Sequence, residues 1–96
     1  MIRYDDRDAV AWITIDRPEK TNAITNDGWR QLTAALDRAE AETRVAVLTG
    51  AGEAFSAGDD IGTIATLETA DDIQTLSDGI FEGLFGIESL EIPVIA

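Results

Sequence analysis

An α/β domain is the fold class this sequence predicts, and three observations predict it. Val10-Ala11-Trp12-Ile13-Thr14-Ile15 is a run of strand formers, preceded by a shorter one at Ile2 to Tyr4. From about Asn26 to Glu42, apolar residues recur at helical spacing. Val45-Ala46-Val47-Leu48 then returns to a short unbroken apolar run, the pattern of a strand buried on both faces. Strand, helix, strand in that order calls for a right-handed crossover, with the helix covering one face of the sheet.

Each element follows from local chemistry. Ile2 to Tyr4 and Ala9 to Asp16 read as a β-hairpin around an acidic turn at Asp5-Asp6-Arg7-Asp8. Pro18 takes the chain out of the sheet, because a central strand cannot lose an N–H. Thr25 or Asn26 caps the first long helix, whose Trp29, Leu32, Leu36 and Ala39 share a face opposite Arg30, Gln31, Asp37 and Arg38. Ile61 to Leu67 reads as a short helical turn before an acidic link at Glu68 to Asp72. Thr69 or Asp71 caps a second long helix reaching about Glu88. Its main stripe is Ile73, Leu76, Ile80, Leu84 and Ile87, widened by Phe81 and Phe85. Gly79, Gly83 and Gly86 weaken that helix in isolation and point to close packing. Pro93-Val94-Ile95-Ala96 looks like the start of another buried parallel strand, cut off partway.

Composition narrows the function. With 96 residues and 45% hydrophobic content, the chain suits one small domain with a packed core. It has no cysteine and no histidine, which leaves no disulfide, no thiolate nucleophile and no expected metal site, and removes the commonest general base. A net charge of −12 argues against nucleic acid as a partner. No apolar run has the length of a membrane span, and the N-terminus lacks a secretory signal's apolar segment, so a soluble cytoplasmic protein is expected. Nineteen acidic residues against a single lysine, Lys20, suggest adaptation to high salt, where mobile ions screen self-repulsion.

The chemistry concentrates where the apolar run of residues 45–48 stops. Leu48-Thr49-Gly50 leads into a glycine-rich turn and then Phe55-Ser56-Ala57-Gly58-Asp59-Asp60-Ile61. A strand ending in such a loop, beside a helix start, presents bare N–H groups that can hold an oxygen becoming anionic during reaction. Gly50-Ala51-Gly52 also opens like a dinucleotide fingerprint, but the third glycine position holds Phe55. An ordinary strand-to-helix connection accounts for the loop taken alone.

Taken together, Leu-Thr-Gly, Phe-Ser-Ala-Gly-x-Asp-Ile and the earlier Asp16-Arg17-Pro18-Glu19-Lys20-Thr21-Asn22-Ala23-Ile24 resemble the crotonase (enoyl-CoA hydratase/isomerase) family. The resemblance spans essentially all 96 residues. It implies the N-terminal part of a crotonase-like ββα fold (ClpP/crotonase), truncated in its last strand. It also implies a thioester carbonyl held between two backbone N–H groups, one of them that of Asp59. Because Asp59 stands where the family often has a small or apolar residue, its carboxylate must turn away, as a helix cap for example. By the same resemblance, Arg17, Lys20, Thr21 and Ala23 contribute to the coenzyme A site, and Ala57, Gly58, Asp60, Ile61 and Gly62 line the CoA and acyl site. Phe81, Phe85 and Ile64 are candidates for the acyl pocket or for ordinary core. Arg17 has an alternative role pairing with nearby carboxylates, and Asn22 one in bonding turn backbone.

The implied reaction is enoyl-CoA hydration through an enolate held in an oxyanion hole, with no cofactor beyond the coenzyme A of the substrate. The family's second oxyanion donor and its catalytic carboxylates would follow Ala96, so this chain by itself is expected to be inactive. Glu53, Glu68 and Glu82 are the substitutes available in principle. Isomerisation, hydrolysis or decarboxylation in the same family, a non-catalytic CoA-binding or assembly fragment, and a nucleotide-binding domain are the rivals. Family members form trimers or pairs of trimers, which leaves a homo-oligomer as the expected partner state.

Overall fold

The computed structural model describes residues 1–96 and begins with a hairpin longer than its apolar residues alone suggest. Strand β1 (Ile2–Arg7) pairs antiparallel with β2 (Val10–Ile15), from Ile2 opposite Ile15 to Arg7 opposite Val10. Asp5, Asp6 and Arg7, expected as a turn, are therefore strand. The reversal uses only Asp8 and Ala9, with φ of 53° and 64°, the positive values that suit a two-residue hairpin. β1 is an edge strand, where charged side chains are well tolerated.

Helix α1 (Asn26–Glu42) begins where the sequence places it, with Thr25 Oγ1 accepting from the Gly28 N–H at 3.0 Å. Its buried face carries Trp29, Leu32, Leu36 and Ala39 as spaced, joined by Ala35. Strand β3 (Val45–Gly50) runs parallel to β2, and the short β4 (Val94–Ile95) runs parallel to β3, giving a mixed sheet in the order β1-β2-β3-β4. Ala11, Ile13, Ile15, Ala46 and Leu48 are buried together with the inner face of α1. Trp12, Thr14, Val45 and Val47 stay half-buried on the opposite face. That corrects the expectation of a β3 covered on both sides. α1 packs against the strands and the last long helix packs on α1, so only one face of the sheet is sealed. Ile95 in β4 is likewise exposed rather than buried.

A short helix α2 (Ile61–Ala65) follows the loop after β3 and stops two residues before the expected Leu67. Helix α3 (Ala70–Ser89) starts at Thr69, whose hydroxyl and the Asp72 carboxylate form a reciprocal capping box. Its stripe differs from the one its spacing suggests. Leu76 and Gly83 are buried and Ile80 and Ile87 half-buried, whereas Ile73 and Leu84 are exposed. The glycines select this face. A Cβ on Gly83 would come within 2.6 Å of the Trp29 ring, so α3 approaches α1 along its glycines rather than its bulky residues. Phe81 and Phe85 stack on each other, centroids 5.6 Å apart, on the exposed side, neither in the core nor in a pocket.

Candidate active site in the loop after strand β3

Two segments leaving the sheet, residues 16–24 after β2 and 51–60 after β3, are joined by one buried side chain. Asn22 is fully buried, with φ of 56° beside Thr21 at 53°, a left-handed pair in which Asn is tolerated. Its Nδ2 donates to the carbonyls of Ala51 (2.9 Å) and Ala54 (2.8 Å), and its Oδ1 accepts from the Arg17 N–H (2.8 Å). Ser56 Oγ donates back to the Asn22 carbonyl at 2.8 Å. Sequence reasoning gave Asn22 a local turn role. The long-range half of that role was missed because a spacing of some thirty residues leaves no local pattern. Gly50 assists: a Cβ there would fall on the backbone of Ala54 and Phe55 as the chain doubles back.

Beyond the turn, the chain extends against Ile24. The Ile24 N–H donates to the Gly58 carbonyl at 2.7 Å, and the Asp60 N–H donates to the Ile24 carbonyl at 3.0 Å. In a parallel ladder, the residue between two such bonds turns its own N–H to the opposite edge. That residue is Asp59, and its N–H has no partner within the chain. Gly58, with φ of 97°, supplies a conformation a side chain would strain, and its N–H is held by Ser56 Oγ at 3.0 Å. The amide of residue 59 is thus fixed from both neighbours while itself left free.

An open cleft of about 510 Å³ lies beside it, lined by Lys20, Thr21 and Ala23 from the first segment and Ala57, Asp59, Asp60, Ile61 and Gly62 from the second. The structure brings together eight of the ten residues singled out in the sequence. Gly58 shapes the loop without lining this cleft. Arg17 also lies outside it: its Nη1 donates to Asp60 Oδ1 at 2.6 Å and to the Ala23 carbonyl at 3.2 Å. The side chains of that pair are only 22% and 14% exposed, so Arg17 braces the loop from behind. Lys20 makes no ion pair and is the cation left facing the cleft.

The two carboxylates at the cleft are both engaged. Asp60 caps α2, accepting from the Thr63 N–H at 2.7 Å. The Arg17 guanidinium first, and the Thr63 N–H after it, hold its carboxyl below the usual carboxylate range. Asp59 is not the cap suggested for it. Its Oδ1 accepts from Trp29 Nε1 at 2.9 Å, which draws the carboxylate toward α1. Glu53 belongs to a separate recess with Pro18 and Gly52, and Glu68 and Glu82 line none of the clefts. The arrangement offers a fixed hydrogen-bond donor and a cation, with no free carboxylate to serve as a base. The dinucleotide alternative loses its geometry, since α2 starts nine residues after Gly52 instead of directly behind the glycines.

Comparison with known proteins bears on the family and the fold. The family described as enoyl-CoA hydratase/isomerase matches residues 5–96. A probable enoyl-CoA hydratase of Rhodobacter capsulatus is 42% identical over 96 residues, covering 99% of this chain and 37% of that protein. The short-chain-enoyl-CoA hydratase of Clostridium acetobutylicum is 36% identical, covering 91% of this chain and 34% of its own length. Among solved structures, an enoyl-CoA hydratase/isomerase from Xanthobacter autotrophicus Py2 superposes with a TM-score of 0.88 at 32% identity, over 97% of this chain and 36% of that one. The chain therefore spans about a third of the length of the curated relatives it matches.

Proposed function

The chain belongs to the enoyl-CoA hydratase/isomerase (crotonase) family, and from that premise we propose that it carries one half of an acyl-CoA thioester site, in a protein that hydrates enoyl-CoA. The observation that carries the proposal is the Asp59 N–H, unpaired and held rigid beside the cleft. A thioester oxygen resting on this N–H gains a donor already oriented for the enolate charge. Because the donor is fixed before the reaction, little reorganisation opposes its use, and one such donor contributes about 3 kcal/mol to lowering a barrier. Lys20, at the cleft rim, suits the phosphates of coenzyme A.

The cleft holds no unengaged carboxylate, so this segment orients and polarises the substrate, and deprotonation or water addition requires groups from elsewhere. The isolated chain is accordingly expected to bind a thioester and leave the double bond of crotonyl-CoA intact.

The amide can be removed without touching its neighbours' bonds. Asp59→Pro deletes the N–H, while the two bonds to Ile24 use the Gly58 carbonyl and the Asp60 N–H. Titration calorimetry of crotonyl-CoA against free CoA is expected to show a preference for the thioester in the parent chain. That preference should strengthen in Asp59→Ala, which keeps the amide and loses the charge, and fall about tenfold from Asp59→Ala to Asp59→Pro, which lacks the amide as well. Equal affinity for crotonyl-CoA and CoA in the parent would remove the thioester assignment.

A further inference from the structure

An ionised side chain on the residue whose amide is to hold an enolate is an electrostatic contradiction. A carboxylate free to swing beside that oxygen disfavours the charge the amide is meant to stabilise. In this chain the contradiction is resolved by a residue thirty positions earlier. Trp29 Nε1 donates to Asp59 Oδ1 at 2.9 Å, so the carboxylate is bonded on the α1 side of the loop. The indole itself has little freedom: Trp29 is 7% exposed. The glycine face of α3 forms a slot for it, with Gly83 against the ring and Gly79 at its Cβ. Trp29 also lines an apolar recess of about 260 Å³ under Ser56 and Gly58, the residues that set the direction of the loop.

We propose that Trp29 is a positioning residue for the thioester site. Its N–H latches the Asp59 carboxylate away from the amide of the same residue, and α3 holds the latch by gripping the indole between its glycines. The proposal rests on the acyl-CoA reading of the Asp59 amide and adds what makes an acidic residue compatible with it.

Trp29→Phe keeps an aromatic ring in the slot and deletes the donor, and a double-variant cycle with Asp59→Ala isolates the latch. In the full chain, Trp29→Phe is expected to weaken crotonyl-CoA binding roughly tenfold relative to free CoA. In the Asp59→Ala background the same substitution should produce no further loss. A loss that persists without the carboxylate would mean that Trp29 acts through packing, which overturns the proposal.

A second readout needs no ligand. In nitrogen-15 spectra, the Trp29 indole N–H should exchange with solvent more slowly than that of half-buried Trp12, which bonds to nothing, and should shift in Asp59→Ala. An indole resonance indifferent to Asp59→Ala overturns the latch. A parent chain that binds crotonyl-CoA no better than CoA overturns the acyl-CoA reading instead, and the indole resonance then still decides the latch.

Discussion

Everything up to Gly50 and everything after it are packed differently. Of the hydrophobic core residues, all but Leu76 lie before Gly50, and all eight exposed large hydrophobics, from Phe55 to Ile95, lie after it. The hairpin, α1 and β3 close a two-layer unit, with Ile13, Ile15, Leu32 and Leu36 almost wholly removed from water. α3 packs chiefly on α1 through its glycine face and leaves Phe81, Leu84 and Phe85 exposed. The candidate site sits on the seam. Its cations and Asn22 come from the well-packed region, and its amide comes from the first loop of the other.

The contrast predicts that the joint between the two regions is worth more than any contact within the second. Asn22 is that joint, and Asn22→Ala has the largest expected effect. It leaves the part-buried carbonyls of Ala51 and Ala54 and the Arg17 N–H without their side-chain partner. Unsatisfied groups of this kind cost about 1–3 kcal/mol each when fully buried, so a net loss of about 2–4 kcal/mol is expected. Urea denaturation followed by tryptophan fluorescence measures it. A loss under 1 kcal/mol would show that the two loops hold their relation without Asn22.

Next in size is Gly83→Ala. The added methyl meets the Trp29 ring at 2.6 Å, so either the buried indole or the helix must shift to admit it. Overpacking of this kind costs about 1–3 kcal/mol, which outweighs the better helix propensity of alanine. Hydrogen exchange sharpens the comparison. If the two regions unfold together, amides of α1 and α3 lose protection equally. If α3 opens alone, only its own amides do, and the second region is a separate, weaker unit.

These differences mark what the sequence could and could not disclose. α1 was legible to its ends because Thr25, the spacing of Trp29, Leu32, Leu36 and Ala39, and the polar opposite face all agree. The site loop was legible because Gly58 and the residues around it form a continuous motif. α3 was misread for a physical reason: periodicity reports which residues share a face, not which of two apolar faces another element will cover. The glycines carried that information, but only in combination with the indole they receive. Asp5 to Arg7 were misread because charge suggests a turn, whereas an edge strand accepts charge freely. The Trp29–Asp59 bond and the Asn22 cross-link join residues distant in sequence, and a single sequence holds no local signal for either.

The smallest expected effect has the opposite sign and tests the glycine argument most narrowly. Gly79 lies one turn before Gly83 on the same face of α3, yet a Cβ there would meet the Cβ of Trp29 at 3.6 Å, an ordinary contact. Gly79→Ala therefore adds no clash, restricts the unfolded chain and supplies a better helix former in the middle of a twenty-residue helix. A gain of about 0.5–1 kcal/mol follows, read as a higher urea midpoint at unchanged slope. Destabilisation by Gly79→Ala would mean that α3 sits closer to α1 than the 3.6 Å contact allows, and the distinction between a gripping glycine and a merely permissive one would fail with it.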